Sequence, residues 1–273
     1  MIVLEDIDVK ERRLRTLVRS LERVGVAFSG GVDSALVLKI AGDELGEDAF
    51  GVTGRSESLA GTELEGANAF AAEIGARHEV LDTHELLDPN YAANPANRCY
   101  FCKKELYGKL REVADARGAR HIVDGFNLDD EGDWRPGRKA AREFGVRSPL
   151  AEAGFRKADV RSLARKLGLE VWDKPALACL SSRFPYGTPI TLELLQQVEA
   201  AETAVKAAGV RVCRVRHHGE VARIEVPADD VARLAEPGVR ERIAAGVKAA
   251  GYRYVALDLG GYVSGNLNAA LDG

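Results

Sequence analysis

The chain has 273 residues, 46% hydrophobic and 29% charged, enough for one large domain, or for one domain and a smaller companion, around a sizeable core. Its 38 Lys and Arg against 42 Asp and Glu leave a net charge of −4, so no global basic field recruits nucleic acid. The opening MIVL is followed at once by Glu5, Asp6 and Asp8, unlike a signal peptide, and no apolar run approaches membrane-spanning length; a cytoplasmic protein without a membrane partner is expected.

Residues 9–23 place Leu14, Leu17, Val18 and Leu21 at helical spacing, with charge elsewhere. A β-branched and aromatic run (Val24, Val26, Phe28) follows and gives way to Ser29-Gly30-Gly31, after which Asp33-Ser34 opens an apolar helical pattern through Leu36, Val37 and Ile40. Strand, glycine turn and helix in that order make an anion site. Adjacent glycines let consecutive N–H groups converge at a helix N-terminus. No lysine follows them, so this is not the nucleoside-triphosphatase loop GxxxxGK[ST]. A second strand over 49–53 ends in Gly54-Arg55-Ser56-Glu57, expected beside the first loop because open α/β sheets bind ligands beyond the carboxyl ends of their strands. A helix over 62–74, a strand over 78–81, a polar stretch (DPNYAANPANR), a helix over 103–117 and a strand over 121–123 continue the alternation. A doubly wound parallel α/β sheet is predicted.

Residues 131–156, rich in Gly, Pro and Arg, read as a long mobile functional loop. A helix over 157–167 follows, then ALACLSSRFPYGTPIT, where Pro185, Gly187 and Pro189 mark a boundary. The expected domains are 1–184 and a smaller α/β domain over 185–273. The second should hold a helix over 191–208, strands over 212–217 and 222–226 around His218-Gly219-Glu220, helices over 228–234 and 237–250, and a last strand over 252–257.

Four cysteines in a reducing compartment are better read as ligands or chemistry than as disulfides. Cys99 and Cys102 form one CxxC, which serves elsewhere as a redox pair, half a zinc site or part of an iron–sulfur site. An irregular stretch before it argues against a thioredoxin-like role. Cys99, Cys102 and Cys179 together would hold a four-iron cluster by three irons. Cys213 alternates with Val215 on an apolar strand face and is expected to be buried. Arg214 and Arg216, two apart in a strand, share one face, where Arg223 and Glu225 of the neighbouring strand could join them as a phosphate clamp or as a solvated ion-pair ladder. Asp129 and Asp130 after the fourth strand suit Mg²⁺ or the cap of a turn.

The SGGVDS loop, the CxxC, GFNLDD at 125–130, ACLSSRFPYGTPIT and RVRHHGEVARIEV together resemble the LarE family. These are ATP-dependent sulfur transferases that build the nickel-pincer nucleotide cofactor used in lactate racemase maturation, within the PP-loop ATP pyrophosphatases. The resemblance implies that Ser29, Gly30, Gly31, Asp33 and Ser34 hold the ATP phosphates, and that Ala27, Thr53, Arg55, Gly125 and Asn127 complete the nucleotide site. It implies Mg²⁺ at Asp33 and Asp130. Arg214 and Arg216 then take the phosphate of a pyridinium biscarboxylic acid mononucleotide, with Arg183, Glu202 and Glu225 close by. Two family branches differ in sulfur source. One sacrifices the sulfur of the cysteine matching Cys179, and the other uses a [4Fe-4S] cluster on three cysteines; Cys99 and Cys102 beside Cys179 point to the second. A homo-oligomer, and a nickel-inserting enzyme that receives the product, are also implied. The rival functions are a tRNA thiolase, an ammonia-dependent adenylating amidase and a non-enzymatic nucleotide-binding module.

Overall fold

The structure is a computed structural model, and the described residues are 6–132, 135–176 and 178–263. The chain divides into two units, Met1–Glu85 with Asn97–Leu177, and Leu86–Ala96 with Ala178–Gly273. Among the described residues no helix is long and apolar enough to cross a membrane.

In chain order the elements are α1 (Ile7–Arg19), β1 (Val24–Ala27), α2 (Val32–Leu45), β2 (Ala49–Arg55), α3 (Gly61–Glu73), β3 (Arg77–Asp82), the short α4 (Pro89–Ala92) of the second unit, α5 (Arg98–Ala116), β4 (His121–Val123), α6 (Gly137–Glu143), α7 (Pro149–Glu152) and α8 (Lys157–Lys166). The first unit's four strands run parallel in the order β3-β2-β1-β4. β1 is buried throughout because both of its edges are paired and both of its faces are covered. Val24 and Val26 face Leu36, Ile40 and the residues of α1 and α8, whereas Phe50, Val52 and Ile122 pack with Tyr107, Leu110 and Ala114 of α5. Helices therefore cover both faces, and the sheet is doubly wound. Its strand order reverses at β1, so the loops after β1 and β4 bound the crevice in which such sheets bind ligands.

Two expectations change. The helix expected over 103–117 begins at Arg98 as α5, so both cysteines of the CxxC lie within its first five residues rather than ahead of it. The stretch 131–156 is also not one long loop: it contains α6 and α7. Ala140 and Ala141 are buried in the core shared with α5, the Arg138 guanidinium stacks 3.7 Å from the Phe126 ring centroid, and Arg147 bridges to Val123 at the sheet edge. Small apolar residues and cation–π packing outweigh the Gly and Pro content. Asp133 and Trp134 of this stretch lie outside the described residues.

The second unit adds α9 (Leu192–Lys206), β5 (Arg214–His218), β6 (Val221–Glu225), α10 (Ala228–Leu234), α11 (Val239–Ala249) and β7 (Tyr254–Leu257). Its sheet order is β5-β6-β7, with the first pair an antiparallel hairpin and the second parallel. The division between units falls at 177/178, ahead of residue 185, and residues 86–96 join the second unit. The reason is a set of ties: Tyr91 and Ser181 hydroxyls 2.6 Å apart, Asn94 Nδ2 donating to the Pro185 carbonyl at 2.8 Å, and Gly187 N donating to Asn94 O at 2.9 Å. The glycine-rich tail beyond residue 263 lies outside the described residues.

Candidate functional site: an anion loop and an arginine strand

In the first unit the turn after β1 is organised around its two serines. Ser34 Oγ accepts from Ser29 N at 3.1 Å, lies 3.1 Å from Ser29 Oγ, and donates to Gly31 O at 3.1 Å. This leaves Gly31 as the N-cap of α2 with no side-chain cap, so the backbone donors of the first turn face outward as an anion site. Gly30 holds φ +73°, and a Cβ there would come within 3.2 Å of Ala67 Cβ. Gly125, after β4, lies against the same helix start. A Cβ there would stand 2.6 Å from Ser34 N, too close for any other residue without movement. Ala27 ends β1 just before the loop.

Behind the loop sits a carboxylate pair. Asn127, almost fully buried, donates to Asp33 Oδ1 at 3.2 Å and to Asp130 Oδ2 at 3.0 Å, so one amide links the two acids. Burial raises the Asp130 carboxyl above the ordinary range; the Asn127 N–H and Arg135 pull it back, and the Asp33 charge pushes it further up. Two carboxylates beside a phosphate loop are the donor set Mg²⁺ takes. Asp129 is used differently. It accepts from Lys157 N at 2.9 Å and from Arg156 at 2.6 Å, capping α8. Lys157 Nζ reaches Asp33 Oδ2 at 2.5 Å, and Lys174 Nζ donates to Gly30 O at 3.2 Å while lying 2.9 Å from Glu63. Neither lysine has a local sequence signal, since each is more than 120 residues from its loop partner.

At the end of β2, Thr53 is buried, its hydroxyl donating to Phe28 O at 2.7 Å and lying 2.8 Å from His78 Nε2, whose pKa burial lowers. Thr53 thus locks the two strand ends that flank the loop. Arg55 is paired with Asp82 through two hydrogen bonds of 2.6 and 3.0 Å, and that pairing raises the Arg55 pKa.

Cys99 is exposed and Cys102 partly so; three residues apart, they lie on neighbouring positions of one helix face. Burial works against the Lys103 ammonium, but Tyr107, Cys102, Asp124 and Cys99 outweigh it and hold its pKa above the ordinary lysine value. Cys179, exposed, belongs to the other unit. Among the described residues, no group of three or more His, Cys, Asp or Glu is gathered to hold a metal ion.

In the second unit the chain from Cys179 to Arg183 is gripped from inside. Arg183, 4% exposed, donates to both Glu202 oxygens at 2.7 and 3.0 Å, and through Nη1 to Ala178 O, Cys179 O and Ser182 Oγ. Glu202 also accepts from Val215 N at 3.1 Å. The turn carrying Cys179 and the strand carrying the arginines are therefore one hydrogen-bonded assembly. Arg216 donates to Glu225 Oε2 through two nitrogens, at 2.9 and 2.7 Å, and to Ser182 O at 2.8 Å. Arg223 pairs with Glu225 and with Asp258. Arg214 stacks 5.3 Å from the Tyr262 ring centroid, and burial and then the Arg183 charge pull its pKa below the ordinary arginine value. A bound anion would relieve that repulsion. Cys213 is fully buried, with burial pushing its thiol up to about 12, so it packs as a small hydrophobe.

Known proteins share this arrangement of sequence. The asparagine synthase family profile matches residues 11–95, which include the loop. An uncharacterised protein of Synechocystis is 47% identical, over 97% of this chain and 99% of its own length. The pyridinium-3,5-bisthiocarboxylic acid mononucleotide synthase of Lactiplantibacillus plantarum is 42% identical, over 96% of this chain and 95% of its own. The tRNA-specific 2-thiouridylase MnmA of Xanthobacter autotrophicus is 32% identical, but over only 56% of this chain and 49% of its own length. By the near-full-length identity to the Lactiplantibacillus synthase, joined to a PP-loop sheet of this topology, the chain belongs to the LarE family.

Proposed function

We propose that the protein is an ATP-dependent sulfur transferase that converts the carboxylates of pyridinium-3,5-biscarboxylic acid mononucleotide into thiocarboxylates. The observation that carries this reading is the Arg183 grip: one buried guanidinium ties the Cys179 backbone to Glu202, and Glu202 ties itself to the strand bearing Arg214 and Arg216. A sulfur-bearing residue and a phosphate-binding strand are held in fixed register within one unit.

The chemistry follows from the weakness of a carboxylate as an electrophile. A substrate carboxylate oxygen attacks the α-phosphorus of ATP, the bond to the β-phosphate breaks, and pyrophosphate leaves with its electron pair. The acyl carbon then carries AMP, a good leaving group, and a sulfur nucleophile displaces it to give the thiocarboxylate. Repetition on the second carboxylate completes the product, which passes to a nickel-inserting enzyme. Residues 29–34 hold the phosphates, Asp33 and Asp130 suit Mg²⁺, and Arg214 and Arg216 orient the substrate phosphate. The family resemblance assigns a [4Fe-4S] cluster to Cys99, Cys102 and Cys179; Cys99 and Cys102 share one helix face, and among the described residues no three such groups are gathered. When bound, the cluster supplies sulfide on the iron that no cysteine occupies. The long match to the synthase, against a match of about half to the tRNA thiouridylase, favours the small-molecule substrate.

Iron and labile sulfide assays on anaerobically purified protein, with intact mass before and after turnover, test the sulfur source. Iron with acid-labile sulfide, lost in Cys99→Ala, supports the cluster. An iron-free protein in which one chain loses one sulfur for each thiocarboxylate formed, two chains per finished product, transfers the Cys179 sulfur instead.

A further inference from the structure

The loop at 29–34 lacks the lysine that a GxxxxGK[ST] loop carries for its phosphates. Two lysines from distant parts of the same unit stand in its place. Lys157, the first residue of α8, puts Nζ 2.5 Å from Asp33 in the first turn of α2. Lys174 puts Nζ 3.2 Å from the Gly30 carbonyl and 2.9 Å from Glu63 of α3. Both side chains remain partly exposed, 34% and 23%, so solvent and ligands reach the ammonium groups.

An ammonium has three N–H donors. Among the described residues Lys157 uses one on Asp33, and Lys174 uses two on Gly30 and Glu63, so each keeps a donor for a further acceptor. Asp33 and Glu63 also fix both side chains in place before any ligand arrives, which removes part of the entropy lost on binding. The need is specific to the leaving group. The N-terminus of α2 offers only about half a positive charge. Breaking the α–β bond leaves the bridging electron pair on pyrophosphate, which demands full positive charges close by.

We propose that Lys157 and Lys174 bind the β- and γ-phosphates and stabilise the departing pyrophosphate, supplying from outside the loop the cations its sequence lacks. The inference rests on the reading that this loop holds ATP for adenylation.

The test is calorimetric titration of the full chain with inorganic pyrophosphate and, separately, with AMP, both without added metal. Lys157→Met and Lys174→Met should each weaken pyrophosphate binding about tenfold while AMP affinity stays within about twofold. Lys157→Arg should recover most of the loss. Lys166→Met, on the same helix but paired with Asp8 and Glu11, should bind both as wild type does. Thermal melts identify any variant that has not folded, in which case Lys157→Gln or Lys174→Gln takes its place. Wild-type pyrophosphate affinity in both lysine variants, or equal loss of AMP, overturns the proposal. A wild-type chain that binds neither ligand overturns the ATP reading beneath it.

Discussion

Arg183 and Glu202 face each other as a two-pronged ion pair, 2.7 and 3.0 Å, with both side chains 4% exposed. A pair this buried holds shape more than it adds stability, because both charges have left water. Its other bonds show what shape it holds: the Cys179 carbonyl on one side and the Val215 amide on the other.

Removing one partner strands a buried charge. Arg183→Met should destabilise the protein by about 3–5 kcal/mol in urea unfolding, and Arg183→Met with Glu202→Leu should recover a large part of it. Sulfur transfer should stay low in the double variant despite restored stability, because the Cys179 turn is no longer held.

Gly125→Ala places a methyl 2.6 Å from Ser34 N and should weaken ATP binding by more than about tenfold, as read by nucleotide titration. Gly42→Ala, on α2 with nothing within 4 Å of the new methyl, should instead stabilise the protein by about 0.5–1 kcal/mol with ATP affinity unchanged.

Much of this was legible in the chain because it is written in local periods. Alternation of strands and helices, the serine–glycine turn and the two-residue spacing of Arg214 and Arg216 each depend on neighbours within a few residues. What was hidden depends on distant partners. Residues 88–98 read as a polar stretch, yet Tyr91 and Asn94 tie this part of the chain to Ser181 and Pro185. The start of α5 is hidden too: it lies at Arg98, five residues ahead of 103, with no side-chain cap to announce it. Lys157 and Lys174 carry no motif; only the fold brings them to Asp33 and Gly30.

The thiol of Cys213 is held protonated by burial, its pKa raised from the ordinary 9.0 to about 12. The unfolded chain ionises at the lower value, so this contribution is fully present below pH 9.0 and is lost as pH rises toward about 12. Cys213→Val, which cannot ionise, should therefore lose less stability than wild type over that window, measured by urea unfolding at stepped pH. Thiol labelling at pH 8 should modify Cys99 and Cys179 and spare Cys213 until the protein unfolds.

Arg214 and Arg216 separate binding from stability. Arg214 stacks on Tyr262 at the edge of the strand, so Arg214→Ala should weaken the pyridinium mononucleotide by about tenfold to a hundredfold with little change in melting temperature. Arg216→Ala should lower both, because Glu225 is fully buried and relies on it for two hydrogen bonds.

The central claim is sulfur for oxygen on an ATP-activated carboxylate, and mass spectrometry of the mononucleotide after anaerobic incubation with ATP and Mg²⁺ reads it directly. The predicted result is stepwise exchange of one and then a second carboxylate oxygen for sulfur, each with release of AMP and pyrophosphate, and abolished in Cys179→Ala. An amide product, or pyrophosphate release with both carboxylates unchanged, or full exchange in Cys179→Ala, would contradict it.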